Sequence, residues 1–403
     1  MPTVLHVASV FPSNSNRLAL QFNYARDSWS IELLHLAARR EETPQTSQDF
    51  GEVHFLPHRP RLREDDPYLV RRLRSFIRRI ANTTALCTTL FRCKADIMHA
   101  HENSSLWAIA FWVLVLRRPA VWDPHDYFHE SSGSTRSASQ LARLKWLERN
   151  VIGRRTPILT VSEGMRDKYE SLYGDATIQV LRNYSSHRGT DVAEHQSTDD
   201  TAAQLLAMRK RLGEGIIRVV YPGLIKAERF SLSLIETLGS IEGISLDIYG
   251  EDRSGHAAHE NALEKTLREN NIKNVHLRGP YTSDSIVSIL GQYHFAIFPY
   301  QLSQPNIDFC LPNKFYQCIE AGLPLITTNM KEMGGIIKQH GLGYVFPSGD
   351  NAACADILAN SSVTDDTYLV LVRNVLRYQK SEVDYEQQQS VLLGSYSEAI
   401  RLR

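Results

Sequence analysis

Short apolar runs alternate with amphipathic stretches from one end of the chain to the other. In the first half, β-prone runs fall at 4–10, 53–56, 96–100, 120–122, 158–161 and 178–181. In the second half they fall at 217–221, 245–249, 275–278, 295–298, 325–328 and 344–346, with helical patterns between most of them. Strands that alternate with helices predict parallel sheets covered on both faces, whose carboxyl ends form a ligand-binding edge. The stretch 187–201, rich in Ser, Thr, Asp and His, reads as the break between two such domains. The predicted organisation is a first Rossmann-like domain over 1–186, a linker and crossover over 187–215, and a second Rossmann-like domain over 216–383. The helical pattern of 384–403 suits a segment that packs back on the first domain.

The pattern at 311–328 (LPNKFYQCIEAGLPLITT) is the most informative. Pro312 suits the first turn of a short helix, Gly322 suits the position just past its end, and 325–328 is a buried strand. A helix start exposes backbone N–H groups and a partial positive charge. Lys314 in that turn opposes the helix dipole unless an anion sits beside it.

A second helix pattern carries Leu69, Val70, Leu73, Phe76, Ile77 and Ile80 on one face, and Arg71, Arg72, Arg74, Arg78 and Arg79 on the other. Two readings stand: a solvated helix with its apolar stripe in the core, or a basic face against an anionic membrane surface or acceptor. The apolar run 106–116 is shorter than the roughly 20 residues of a spanning helix and reads as a core helix.

Composition narrows the class. The 403 residues carry a formal net charge of +0, so no global field favours nucleic acid. Five cysteines without a CxxC pair argue against a disulfide framework and a Cys-rich zinc site, and suit a reducing cytoplasmic compartment. The first residues, MPTVLHVA, carry no signal-peptide pattern.

Taken in order, several segments resemble the GT-B glycosyltransferases, in particular glycosyltransferase family 4 and its relatives. They are LHVASVFP (5–12), ADIMHAH (95–101), VWDPHDYF (121–128), VSEGM (161–165), VLRN (180–183), YPGLIKAER (221–229), IYG (248–250), VHLRG (275–279) and AIFP (296–299). The resemblance implies a GT-B fold, two doubly wound domains facing across a cleft. It implies a nucleotide-diphosphate sugar as co-substrate on the second domain, a saccharide or lipid-linked acceptor on the first, retention at the anomeric carbon, and no metal or other cofactor.

It also implies site residues. His125 matches the histidine that contacts the donor sugar, with Asp123 and Asp126 placed to orient it. Lys226 and Arg229 lie in the phosphate loop, with Leu224 where relatives often have Arg. Pro312, Asn313 and Lys314 would hold the same phosphates, and Gly250 and Tyr281 lie where relatives recognise the base. The Glu-x7-Glu signature is altered: Phe309 stands at its first Glu and Gln317 at its second, whose counterpart binds ribose, with Asp308 one residue before. Where relatives have Gly-Gly after the first strand, this chain has Pro12, Ser13 and Asn14. Ser13, Asn14, Glu102 and Asp126 are acceptor-side candidates. His99 and His101 lack a companion ligand at metal spacing and read as strand-end packing. The lost signature acids keep a non-catalytic GT-B binding partner open, and a sugar-nucleotide epimerase on the same fold is a further alternative.

Overall fold

A computed structural model of the chain describes residues 1–11, 15–36, 52–56, 68–126, 138–152, 155–174, 176–185, 197–213, 215–252, 257–302, 305–363 and 366–403, with some side chains inside the helices left out. It divides into one unit of residues 1–182 with 386–403, and a second of residues 183–385.

The first unit holds seven strands: β1 (Thr3–Ala8), β2 (Ser30–His35), β3 (Val53–Phe55), β4 (Ile97–His101), β5 (Ala120–Asp123), β6 (Ile158–Thr160) and β7 (Ile178–Val180). Their order is β3-β2-β1-β4-β5-β6-β7, and each pairing is parallel. The order reverses between β1 and β4, the position where an open parallel sheet leaves a crevice at its carboxyl edge. Buried runs such as Val4, Leu5, Val7 and Ala8 explain why the strands read as continuously apolar. β2 has no counterpart in the predicted strands; its sequence, SIELLH, is short and does not alternate.

The second unit holds β8 (Ile217–Pro222), β9 (Ile244–Tyr249), β10 (Val275–Gly279), β11 (Phe295–Phe298), β12 (Leu325–Thr328) and β13 (Gly343–Phe346). Their order is β10-β9-β8-β11-β12-β13, also parallel throughout, with the switch between β8 and β11.

Three expectations change. Part of the stretch read as linker is the helix Thr198–Gly213, which packs on the helix Asp366–Glu382. Its Arg209 is fully buried and donates to the carbonyls of Gly291, Gly322 and Ala321 and to the Tyr368 hydroxyl. The cation thereby covers carbonyls at the end of the helix Asn313–Glu320. The core reading of the Arg-rich helix, Tyr68–Arg92, fails at Ile77 and Ile80, which are both exposed. The run 106–116 forms a helical stretch that buries Leu106, Ile109 and Trp112 but exposes Trp107, Leu114 and Val115. The C-terminal helix Tyr385–Arg401 packs on the first unit: Gln389 donates to the Tyr24 carbonyl and the Tyr396 ring meets Trp29 edge-on.

Candidate active site

In the first unit, alternation along β4 puts His99 and His101 on one face, and the β1–β4 register sets His6 beside His99. The three imidazoles are buried together against Phe22 and Tyr396. His99 and His101 stack with ring centroids 4.3 Å apart, and His6 lies nearly parallel to His101. His6 Nδ1 meets His101 Nε2 at 2.9 Å, His101 Nδ1 meets His125 Nε2 at 3.2 Å, and His99 Nδ1 meets the Tyr396 hydroxyl at 2.9 Å. The chain of rings thus runs from the core to the sheet edge at His125. Burial drives the His6 pKa down to about 3 and holds His99 and His101 well below the ordinary imidazole value, so all three are neutral near pH 7. The expectation that His99 and His101 lack a companion ligand does not hold: candidate ligand atoms of His6, His99 and His101 lie within 4.8 Å of one another, and so do those of His101, Asp123 and His125, because β1, β4 and β5 bring together residues that are distant in sequence.

Asp123, at the end of β5, is fully buried beside this chain. Arg17 clamps it through two hydrogen bonds, Nε to Oδ2 at 2.8 Å and a terminal nitrogen to Oδ1 at 2.9 Å, and Gln21 donates to Oδ2 at 2.6 Å. Burial alone would raise the carboxyl pKa; the Arg17 charge and hydrogen bonds, with the neighbouring histidines, hold it well below the usual carboxylate range. Arg17 also donates to the Leu181 carbonyl, tying β5 to the segment after β7. Asp123 Oδ2 lies 3.5 Å from His125 Nε2.

His125 takes φ +62°, and Glu102, after β4, takes φ +58°. Two non-glycine residues with left-handed φ at adjacent strand ends hold unusual backbone for a reason, and such strain gathers at functional sites. They face each other, His125 Nδ1 4.0 Å from Glu102 Oε1, and Ser9 donates to Glu102 at 2.5 Å. Asp126 is exposed in the next turn. Ser13 and Asn14 lie outside the described residues.

In the second unit, Lys226 and Arg229 occupy the turn after β8. The Glu228 carbonyl accepts from the Gln301 amide at 2.8 Å, which ties that turn to the segment after β11. Arg229 lies over the Tyr300 ring at 5.4 Å, and Lys314 over the Tyr281 ring at 5.8 Å. Burial and the nearby Tyr300 raise the Tyr221 pKa, Arg229 opposes them, and the Tyr221 hydroxyl donates to the Leu224 carbonyl at 2.8 Å. Gly250 is fixed by contact: a Cβ there would stand 1.7 Å from the Gly223 carbonyl oxygen, at φ +154°. Pro312 is the N-cap rather than the first helical residue, with φ −73° and ψ 154°, and the helix Asn313–Glu320 has no side-chain cap. Its first amides therefore point outward without a capping side chain.

Two candidates sit differently from expectation. Both Asp308 carboxylate oxygens engage Lys331, one through its backbone N–H and one through Nζ, each at 2.9 Å, so Asp308 pins the following loop. Phe309 lies under the Lys331 ammonium at 5.0 Å. Gln317 is buried, with its Oε1 unpartnered among the described residues.

The match to known sequences divides as the fold does. The model of Glycosyltransferase Family 4 matches residues 29–184, and that of Glycosyl transferases group 1 matches residues 219–361. The chain belongs with the GT-B glycosyltransferases. No curated protein matches it. Solved structures with the same fold include HepE of Anabaena in complex with UDP-glucose, 13% identical with a TM-score of 0.72, covering 98% of this chain and 99% of that one. Sucrose-phosphate synthase from Thermosynechococcus elongatus is 14% identical with a TM-score of 0.71, and each chain is covered in full, 100%. WaaG, a glycosyltransferase involved in lipopolysaccharide biosynthesis, is 13% identical with a TM-score of 0.62 over 98% of both chains.

Within this glycosyltransferase, Arg17 and Gln21 are the site residues that motif reading misses. Arg17 stands in the first turn of the helix Asn16–Ala25, where a cation opposes the dipole. The argument that singled out Lys314 could have flagged it.

Proposed function

We propose that the protein transfers a sugar from a nucleotide diphosphate to a hydroxyl of a saccharide or lipid-linked acceptor, with retention and without a metal, in polysaccharide or glycolipid synthesis. The observation that carries this is a set of cations on the second unit: Arg229 over the Tyr300 ring in the turn that also bears Lys226, and Lys314 over the Tyr281 ring at the start of the helix Asn313–Glu320. Together with the N-terminal end of the helix Asn313–Glu320, these groups supply fixed positive charge for a leaving diphosphate, usually the largest catalytic contribution. The bond from the anomeric carbon to the diphosphate oxygen breaks, the acceptor oxygen bonds on the same face, and its proton leaves with the diphosphate. His125 steadies the sugar, and Glu102, with Ser9, orients an acceptor hydroxyl. Gly250 and Tyr281 border the base. HepE is described with UDP-glucose, which makes that the first donor to try. A cytoplasmic enzyme whose basic helix Tyr68–Arg92 meets an anionic membrane fits a lipid-linked acceptor.

Nucleotide release from UDP- and GDP-sugars, with and without saccharide and lipid-linked acceptors, tests the reading. His125→Ala is expected to abolish turnover while nucleotide binding, read by calorimetry, persists. No affinity for any nucleoside diphosphate sinks it. A binding protein without turnover is the competing reading. It is favoured by Phe309 and Gln317 in place of acids and by Asp308 being taken up by Lys331; donor binding with no turnover on any acceptor would select it.

A further inference from the structure

The strands β4 and β5 end side by side, and their register sets His101 directly against Asp123. His125 follows with its left-handed φ of +62°, and its Nε2 lies 3.2 Å from His101 Nδ1 and 3.5 Å from Asp123 Oδ2. The third side of the triangle, His101 Nδ1 to Asp123 Oδ2, measures 3.8 Å. Hydrogen bonding accounts for the His101–His125 side alone; the two sides that end on Asp123 are too long for it. A zinc ion explains all three. Bonds of about 2.0–2.1 Å to three corners of a tetrahedron set those corners about 3.3 Å apart. The observed spacings bracket that value, and a point about 2.0 Å from all three atoms lies between them.

The surroundings suit ligation as well. Burial keeps the His101 ring neutral and Arg17 keeps Asp123 ionised, so both already have the form a metal needs. The far side of each ligand is held: His101 Nε2 meets His6 Nδ1 at 2.9 Å, His125 Nδ1 faces Glu102 Oε1 at 4.0 Å, and Arg17 donates to Asp123 Oδ1 at 2.9 Å. Ligating histidines ordinarily turn their second ring nitrogen to a partner of this kind. Two imidazole nitrogens and one carboxylate oxygen select a borderline divalent ion such as Zn²⁺ over Mg²⁺ and Ca²⁺, which prefer oxygen alone. Asp123 and His101 are buried and His125 is partly exposed, so the way in and the open coordination position lie on the His125 side, at the sheet edge. Arg17 shares the carboxylate, and its charge opposes a second cation, which makes the ion exchangeable rather than permanent.

We propose that His101 Nδ1, Asp123 Oδ2 and His125 Nε2 form a zinc site whose occupation withdraws His125 from the donor sugar and stops transfer. The site stands on this geometry alone; its consequence for turnover rests on the transferase reading. The ion acts as a reversible inhibitor and takes no part in the transfer step. On binding, each ring keeps its one proton on the far nitrogen, His101 Nε2 toward His6 and His125 Nδ1 toward Glu102.

The test is calorimetric titration of the chelator-treated full chain with Zn²⁺ and with Mg²⁺, repeated with Co²⁺, whose visible absorption reports tetrahedral nitrogen and oxygen ligands. Binding is expected for Zn²⁺ and Co²⁺ and not for Mg²⁺. Glu102→Gln should weaken Zn²⁺ binding about 10–100-fold, as loss of an outer-shell partner does, and His125→Ala should weaken it further. Glu32→Gln/His54→Gln, at the other group of candidate ligands on β2 and β3, should leave it unchanged. Nucleotide release should fall with Zn²⁺ occupancy and recover on adding chelator. No affinity for Zn²⁺, or affinity equal in His125→Ala and the parent, overturns the proposal. Binding lost in Glu32→Gln/His54→Gln moves the ion to β2 and β3 and also overturns it, as does turnover that saturating Zn²⁺ leaves intact. Zn²⁺ binding as expected in a chain with no affinity for UDP or GDP would count against the transferase reading alone.

Discussion

Removing Arg17 should unfold the first unit for an electrostatic reason. Asp123 is fully buried, and its charge is held by the two Arg17 contacts at 2.8 and 2.9 Å and by the Gln21 amide at 2.6 Å. Arg17→Met keeps much of the side-chain volume but leaves a carboxylate in the core with no cation against it. Breaking one side of a buried pair costs about 3–5 kcal/mol, a large part of the stability of an ordinary domain. Arg17→Met/Asp123→Asn removes the stranded charge, and an Asn still accepts from Gln21. The double variant should therefore be clearly more stable than Arg17→Met alone, with a coupling of about 2 kcal/mol or more. The pH dependence gives a second signature. In the parent, the depressed Asp123 pKa supplies stability that is present above the unfolded carboxyl value and lost as pH falls through the folded one. In Arg17→Met, burial instead raises the carboxyl, so the deficit relative to the parent narrows as pH falls and Asp123 takes up a proton. All five tryptophans lie between residues 29 and 146, so emission during urea unfolding reports the first unit alone. An Arg17→Met deficit below about 1 kcal/mol at pH 7, or strict additivity in the double variant, would refute the reasoning.

Three further outcomes are expected. Gly250→Ala forces a Cβ onto the Gly223 carbonyl; calorimetry should show nucleoside diphosphate affinity reduced roughly tenfold or more, while tryptophan-monitored unfolding of the first unit stays unchanged. Arg209→Met strands carbonyls at the end of the Asn313–Glu320 helix; the second unit should lose about 3 kcal/mol or more, seen as faster amide exchange in that helix and in Thr198–Gly213. Because His6, His99 and His101 have lowered pKa values in the fold, the unfolded chain binds more protons, so stability is intact above the ordinary histidine value and declines below it. Three such groups imply about 4 kcal/mol per pH unit, and a urea midpoint that stays flat from pH 7 to pH 5 would contradict the neutral-cluster assignment.

The sequence and the structure agree where one physical cause decides the matter. Strands buried on both faces must be apolar throughout, so β11 and β12 fall on the residues that periodicity predicts. The helix at 313–320 was legible because Pro312 and Lys314 mark its first turn and Gly322 follows its last. The pairing of Arg17 with Asp123 was not, because it spans 106 residues and nothing local joins them. Thr198–Gly213 was misread for a related reason: its polar opening looks like linker, and its packing residue is an arginine whose burial makes sense only once helix ends elsewhere present their carbonyls.

The Arg-rich helix exposes a deeper limit. A 3.6-residue period states which side chains share a face but not what covers that face. A core, a bilayer interface and a partner protein all require the same stripe, and they differ only in what lies opposite. For Tyr68–Arg92 the stripe suggested a core, yet Ile77 and Ile80 are exposed. The discriminating signal was present in the chain as an absence spread over three separate segments, 68–95, 106–118 and 138–147, none of which carries an acid. A solvated helix normally mixes both signs of charge. Only the fold shows that the three acid-free segments are neighbours, and that juxtaposition turns a local oddity into a candidate surface.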